Sequence, residues 1–143
     1  MLIDQISIFV SNQQGRLTDI TSVLSDAGID IRAFSLADTT EFGILRLIVD
    51  DPDGAMEALK GNNLIVRKTK VIAARFGDTP GSLNKVLQYL TDANIPIEYA
   101  YAFVTPENNE ACVILRAGDN DLAIKTLAEN GVKLLTSGDI YKL

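Results

Sequence analysis

Two stretches of this sequence match each other and decide how the rest of the chain is interpreted. Residues 12–31 read NQQGRLTDITSVLSDAGIDI, and residues 78–97 read DTPGSLNKVLQYLTDANIPI. With a shift of 66 residues, the window from residue 6 to residue 31 contains eight identical pairs, among them Gly15 with Gly81. About one or two identities would arise by chance at ordinary residue frequencies. The chain therefore contains an internal duplication.

Each copy predicts the element order strand, helix, strand, strand, helix, strand. In the first copy, apolar residues alternate through residues 6–10, as in a strand, and recur at helical spacing through residues 17–27. Asp51 followed by Pro52 predicts the start of the second helix, because aspartate caps helices and proline fits their first position. This order is the ferredoxin-like arrangement, with two helices on one face of an antiparallel sheet. We therefore predict an α+β fold with two such units.

The repeat also predicts where the two units begin and end. The first unit is expected to span residues 1–69 and the second residues 70–143, with no glycine or proline close to the boundary. One strand is expected to begin at Leu64 and another to lie around residues 71–76. Residues 137–143 are expected to extend the second sheet.

Composition and charge exclude several classes of function. Thirteen Lys and Arg side chains stand against nineteen Asp and Glu, and the formal net charge of −6 argues against a nucleic-acid or anionic membrane partner. The absence of histidine excludes Ser-His-Asp and Cys-His catalysis and histidine metal sites. We expect no cofactor, no metal ion and no catalytic residue.

The single cysteine and the lack of a targeting segment bear on the location of the protein. No disulfide can form within the chain, and Cys112 is interpreted as a small, buried hydrophobic residue. No secretory signal is visible, and no apolar run approaches the roughly 20 residues that cross a bilayer. We expect a reduced, cytoplasmic setting.

A short motif in both copies resembles the ACT domain. The second copy has DTPGSL at residues 78–83 before an apolar helix and ANIPI at residues 93–97 after it, and the first copy has NQQGRL at residues 12–17 and AGIDI at residues 27–31. These stretches are similar to the Asp/Asn-x-Pro-Gly-x-Leu loop and the Gly-Ile/Val-Asn-Ile strand start of that family. The resemblance covers nearly the whole chain twice, as in a free-standing tandem pair with no catalytic domain attached.

This resemblance implies a regulatory protein that binds a small molecule, most often a free amino acid, at the interface between paired units. It implies that the loop and first helix of one unit approach a strand of its neighbour. It further implies a homodimer or a partner enzyme that the protein regulates. Nucleic acids and membranes are not expected among its partners.

The residues around the repeated glycines have a chemistry that suits an amino acid. Gly15 and Gly81 precede helices whose first N–H groups lack acceptors within the helix, which favours binding of a carboxylate. The ordinary alternative is that the glycines and their polar neighbours form only a turn and a helix cap. The candidate binding residues are Asn12, Gln13, Gln14, Gly15, Arg16, Leu17, Asp30, Ile31, Asp78, Thr79, Pro80, Gly81, Ser82, Leu83, Tyr99 and Tyr101.

Two roles are predicted for the polar groups of this set. The backbone amides of residues 14–17 and 80–83 are expected to bind the carboxylate of the amino acid. The side chains of Asn12, Asp30 and Asp78 are expected to contact its amino group, since an acidic side chain holds an ammonium group well.

A strand of the second copy carries three aromatic residues at alternate positions. Tyr99, Tyr101 and Phe103 therefore lie on one face of that strand. One of the two tyrosines is expected to contact the side chain of the ligand, and the alternative is cross-strand packing in the core. The first copy has only alanine and serine at the equivalent positions, and this asymmetry predicts that one site is specialised.

Two other functions stay open at this point. A regulatory or scaffolding subunit of a partner enzyme, with no functional ligand site, is favoured by differences between the loops, such as Gln14 where the second copy has Pro80. A small enzyme would have to use Asp, Glu, Lys or Tyr, and the fold alone does not decide against it. Turnover that survives substitution of Gly15 and Gly81 but is lost when one carboxylate is replaced would favour the enzyme.

Overall fold

The predicted mixture of helices and antiparallel strands is confirmed by the computed structural model of the chain. Every helix and strand of the predicted repeat is present, although some bounds differ. Among the described residues, no helix is both long enough and apolar enough to cross a membrane. The structure describes residues 1–11, 13–38, 41–104 and 109–142.

Contacts between residues divide the chain into two compact units. One contains Asp4–Thr69, and the other contains Met1–Ile3 together with Lys70–Leu143. The repeat assigned the first three residues to the first unit, but the side chain of Leu2 packs against the core of the second. Apolar packing, which a sequence repeat does not encode, determines where these three residues belong.

The first unit consists, in chain order, of β1 (Ile3–Ser11), α1 (Arg16–Asp26), β2 (Ile31–Asp38), β3 (Phe42–Val49), α2 (Pro52–Lys60) and the first part of β4 (Ile65–Gly77). Strand β3 pairs antiparallel with both β1 and β2. Leu45 of β3 lies opposite both Ile8 and Leu36, so these three side chains share one face of the sheet. Both helices pack on that face, where they enclose the core of this unit.

The second unit continues with the rest of β4, then α3 (Ser82–Asp92), β5 (Ile97–Val104), β6 (Glu110–Ala117), α4 (Asn120–Glu129), β7 (Lys133–Leu134) and α5 (Ser137–Tyr141). Its antiparallel sheet has the order β5-β6-β4-β7. Val113 lies opposite both Ala74 and Ala102, which repeats the pairing of the first unit. Helices α3 and α4 cover the equivalent face.

Strand β4 is a single strand of 13 residues, where the sequence predicted two. Residues 64–76 contain neither glycine nor proline, and β-branched residues recur along them. Such residues favour extended backbone, and nothing in this stretch favours a turn. The last strand of the first repeat and the first strand of the second are therefore one element.

The end of the chain also differs from the prediction, because residues 137–141 form helix α5 and not a further strand. The N–H of Asp139 donates to Thr136 Oγ1 at 3.3 Å, and the N–H of Thr136 donates to Asp139 Oδ2 at 2.9 Å. This reciprocal capping box is typical of a helix start. The hydrogen bond from the Thr136 backbone also holds the pKa of Asp139 below its usual range.

The second helix of each unit is capped by an aspartate, which confirms the cap predicted at Asp51. The Oδ1 atoms of Asp51 and Asp119 accept hydrogen bonds of 3.0 Å from the N–H groups of Gly54 and Leu122.

We expect Asp51→Ala and Asp119→Ala each to lower the free energy of unfolding by about 1 kcal/mol in urea denaturation. Glu57→Ala, in the exposed middle of α2, is the control and should change it by less than about 0.5 kcal/mol. A loss no larger than that of the control would show that these caps do not stabilise their helices.

Candidate functional site

The loop between β1 and α1 is shaped by its glycine and by short hydrogen bonds. Gly15 precedes the helix with a φ of 84°, in the left-handed region that glycine adopts without a steric penalty. The N–H of Gln13 donates to the carbonyl oxygen of Ser11 at 2.8 Å. The side chain of Arg16 turns back, and its Nε donates to Ser11 Oγ at 3.0 Å. The loop is thus held by its own contacts, while no described atom lies within 4 Å of the position that a Cβ of Gly15 would take.

A small cavity of about 170 Å³ lies between this loop and the strands β2 and β3. Polar side chains from the loop meet apolar side chains from the strands in its wall. The cavity therefore offers a polar side and an apolar side to a small molecule. Its lining residues are Val10, Ser11, Gln13, Arg16, Leu17, Leu36 and Gly43.

A larger cavity of about 340 Å³ lies beside it, between α1 and the strands β2 and β3. Leu17 lines both cavities. The ladder pair Leu36–Leu45 is followed on the same face by the pair Phe34–Leu47, so the two cavities succeed each other along the strands. The lining residues of the larger cavity are Leu17, Thr21, Ile31, Arg32, Ala33, Phe34, Leu45 and Leu47.

The loop between β4 and α3 repeats this geometry in the second unit. Gly81 precedes the helix with a φ of 89°. The N–H of Thr79 donates to the carbonyl oxygen of Gly77 at 2.9 Å, and the N–H of Ser82 donates to that of Thr79 at 3.1 Å. The hydroxyl groups of Thr79 and Ser82 share a further hydrogen bond of 2.6 Å. The two loops therefore have the same backbone form but are held by different side chains.

A cavity of about 240 Å³ lies in front of this second loop. Its wall corresponds to that of the first loop cavity, with Leu83 in the place of Leu17 and Ala102 in the place of Leu36. The two loop cavities are thus equivalent sites of the repeat. The lining residues of the second are Phe76, Asp78, Thr79, Gly81, Leu83, Ala102, Phe103 and Ala111.

Several predicted residues meet at these cavities, and others do not. Ile31 lines the larger cavity of the first unit, and Ser82 lines a separate cavity of about 270 Å³. Gln14 and Pro80 are exposed on their loops, and Asn12 lies outside the described residues. The predicted residues at the two loop cavities are Gln13, Arg16 and Leu17 in the first unit and Asp78, Thr79, Gly81 and Leu83 in the second.

Asp30 was predicted to contact the amino group of the ligand, but it lies away from the loop cavity of its unit. It follows the C-terminal end of α1, whereas the loop precedes the N-terminal end, and an 11-residue helix is about 16 Å long. Its carboxylate forms an ion pair with Arg32 at 3.1 Å, and its N–H donates to Asp50 Oδ1 at 2.9 Å. Asp30 therefore cannot contact the amino group of a ligand held at the loop of the same unit.

Tyr99 and Tyr101 do not line the loop cavity of their unit either. In the β5–β6 ladder, Tyr99 and Tyr101 lie opposite Arg116 and Ile114. The next residue, Ala102, lies on the face that the helices cover. Successive residues of a strand point to opposite faces, so the two tyrosines lie on the other side of the sheet. The predicted contact between a tyrosine and the ligand is not available within the second unit.

The strand residues that line both loop cavities were not predicted from the sequence. Leu36 and Gly43 come from β2 and β3, and Ala102 and Ala111 come from the equivalent strands of the second unit. One signal could have found this side. Phe34 and Leu36 alternate in the sequence, which predicts an apolar face on β2, and the structure leaves these two side chains 63% and 49% exposed on an incompletely covered face.

Neither Cys112 nor the acidic residues supply metal or thiol chemistry in the described part of the chain. No three His, Cys, Asp or Glu side chains there are grouped to hold a metal ion. Cys112 is buried, and burial raises the pKa of its thiol to about 12.

We expect Cys112 to resist iodoacetamide at about neutral pH in the folded protein and to react after unfolding in urea. Rapid labelling of the folded protein would contradict this burial.

Comparison with known proteins identifies the family. A model of the ACT domain pair matches residues 1–143. This chain belongs to that family. The ACT domain pair is 43% identical to protein BT0572 from Bacteroides thetaiotaomicron, and the match to that crystal structure has a TM-score of 0.94 and covers 100% of this chain and 98% of the other.

More distant structures share the fold of this ACT domain pair. The regulatory subunits of aspartate kinase from Thermus thermophilus and Thermus flavus match with TM-scores of 0.63 and 0.61, at 18% and 19% identity. Each match covers 90% of this chain and 94% of the other. At this identity the two structures establish a common fold and nothing further. No curated protein matches the sequence significantly.

Proposed function

We propose that this ACT domain pair is a non-catalytic regulatory protein that binds a free amino acid at the loops in front of α1 and α3. The equivalence of the two loop cavities carries the proposal. Each cavity has polar side chains from a loop that contains a left-handed glycine before a helix, and in the second unit that glycine, Gly81, itself lines the cavity. A loop that only reversed the chain would not need a cavity at the same position of both repeats. Membership of the ACT family supports the regulatory role.

The first N–H groups of α1 and α3 donate to loop carbonyl oxygens, so the carboxylate of the amino acid is assigned to the next amides, those of Leu17 and Leu83. These N–H groups have no acceptor within the helix and carry partial positive charge. Because the space in front of Gly15 and Gly81 holds no described atom within 4 Å, a carboxylate can approach the backbone closely. In the first unit Arg16 adds a guanidinium group at the cavity, and charge-assisted hydrogen bonds to a carboxylate are strong ones.

The amino group of the ligand is assigned to oxygen atoms at the rim of each cavity. Asp78 supplies a carboxylate in the second unit, and Gln13 supplies an amide oxygen in the first. Asn12, the residue equivalent to Asp78 in the repeat, is proposed for the same role from the sequence. An ammonium group therefore finds a charged partner in the second cavity and neutral partners in the first.

The proposed output of binding is a change in affinity for another protein. A ligand that binds one conformational state more tightly shifts the population toward that state, and the coupling acts equally in both directions. We propose that the protein works in the cytoplasm as a homodimer and that the favoured state binds a partner enzyme with altered affinity.

A second candidate function is a regulatory or scaffolding subunit whose loop cavities bind nothing. Two observations favour it. The loops differ in the side chains that hold them, with Arg16 in one and Ser82 in the other. Apolar side chains on β2 and β3 are also exposed, with Phe34 at 63% and Phe42 at 56%, as on a surface that contacts a partner.

A thermal-shift screen of the full chain against the twenty amino acids at millimolar concentration tests the proposal. A ligand at about 100 times its Kd adds about 2.7 kcal/mol of stability, which raises Tm by several degrees in a chain of this size. Gly15→Asn and Gly81→Asn keep the left-handed backbone but bring a side chain that competes for the helix amides. Gly61→Ala is the matched control, because this glycine has an ordinary φ of −64° at the end of α2.

The outcomes separate the two candidate functions. A shift with one amino acid or a few related ones, lost when both loop glycines are replaced and kept in Gly61→Ala, supports amino-acid binding. If no amino acid raises Tm, the ligand proposal is rejected. The subunit function would then be pursued by isolating the proteins that this chain binds.

A further inference from the structure

The larger cavity of the first unit has a mostly apolar wall, and its two polar side chains have contacts within the protein. The hydroxyl of Thr21 donates within α1, to the carbonyl oxygens of Leu17 at 3.0 Å and Thr18 at 3.1 Å. Arg32 is the one charged residue among the described lining residues, and it forms an ion pair with Asp30 at 3.1 Å. Because six of the eight lining residues are apolar, an apolar group makes more contacts in this cavity than a charged one.

The larger cavity begins where the loop cavity ends. Leu17 lines both, and the ladder pairs Leu36–Leu45 and Phe34–Leu47 mark successive positions along the two. A step of two residues along a strand covers about 6.6 Å, and a long side chain reaches that far from its own Cα. A ligand with its amino and carboxylate groups at the loop would therefore place its side chain in the larger cavity.

The second unit carries different residues at two of the equivalent wall positions. Leu87 stands where the first unit has Thr21, and Ala100 stands where it has Phe34. On the helix, the side chain of Leu87 is longer than that of Thr21. On the strand, the methyl group of Ala100 replaces the aromatic ring of Phe34. The space next to the second loop is therefore bounded differently from the space next to the first.

We infer that the first unit selects amino acids with a bulky, uncharged side chain, aliphatic or aromatic, and that the second unit does not share this selectivity. The inference rests on the proposed function, because it specifies the class of amino acid held at the same loop. A cavity of about 340 Å³ lies within the usual size range of small-molecule sites. The side chain of alanine would leave most of this cavity unfilled and would forgo its contacts.

Isothermal titration calorimetry with leucine, phenylalanine, alanine and glutamate tests the inference on the full chain carrying Gly81→Asn, in which the second loop is blocked and the first unit is measured alone. We expect leucine and phenylalanine to bind at least about tenfold more tightly than the other two. Thr21→Leu introduces the residue of the second unit and fills part of the cavity, so it should weaken binding of leucine and phenylalanine by at least about tenfold. Ser22→Leu adds the same side chain at an exposed position of α1 and should leave Kd within about twofold.

A second variant keeps the test valid if Thr21→Leu does not fold, which circular dichroism would show. Phe34 is 63% exposed, so Phe34→Ala should leave the core intact while removing one wall of the cavity and weakening leucine binding several-fold. If alanine or glutamate binds the Gly81→Asn chain as tightly as leucine, or if both folded variants bind leucine unchanged, the inference fails and the proposed function stands. If no amino acid binds the wild type, both fail.

Discussion

Leu24→Ala is expected to lower the free energy of unfolding by about 2–5 kcal/mol, and Leu90→Ala should lower it by a similar amount. The two leucines are equivalent in the repeat and lie on the first helix of each unit, and each has an exposed fraction of 0%. Truncation removes apolar surface that folding buries and leaves a cavity between the helix and the sheet. Urea denaturation followed by circular dichroism measures the loss.

The matched control for these variants is Leu122→Ala. Leu122 also lies on a helix, α4, but it is 43% exposed, so its truncation should cost less than about 1 kcal/mol. Near-equal losses for Leu24→Ala and Leu122→Ala would refute the packing of α1 against the sheet.

Gly81→Val is expected to lower the free energy of unfolding by at least about 1–2 kcal/mol, because an L side chain is strained in the left-handed region. The φ of Gly81 is 89°, and a β-branched residue is a true outlier there. A Cβ at this position meets no described atom within 4 Å, so the cost arises from the backbone and not from a clash. The loss is measured by urea denaturation in the absence of ligand.

Gly61→Ala is the control for this second prediction and has the opposite expected sign. Its φ of −64° is ordinary, and a Cβ there makes only normal contacts with backbone oxygens. Alanine should stabilise the protein by about 0.4–1 kcal/mol, because it restricts the unfolded chain. If Gly81→Val and Gly61→Ala changed stability in the same direction and by the same amount, the left-handed conformation of the second loop would be wrong.

Much of the fold was predictable because its signals are local. The alternation of Ile6, Ile8 and Val10 indicates a strand, and Asp51 indicates a helix start, through interactions between residues close in sequence. The duplication then transferred each assignment to the second unit. One error arose at the chain end, where the Thr136–Asp139 capping box starts a helix in residues that were expected to extend the second sheet.

The site was only half predictable, for a related reason. The loop residues Gln13, Arg16 and Thr79 follow from the glycine motif, since the turn and the helix start lie within a few residues of each other. Asp30 was assigned to the same site because it neighbours the motif of the following strand. The length of α1 separates them, and that distance is invisible when residues are considered only by type.

By itself the sequence determined the repeat, the order of the elements and the glycine that precedes the first helix of each unit, because periodicity and backbone preference belong to neighbouring residues. Only the tertiary structure decided which strand residues face the loops. Strand register places Leu36 and Ala102 at the cavities and turns Tyr99 and Tyr101 to the other face. Register depends on pairing between residues far apart in the chain, and a slip of one residue would exchange the two faces.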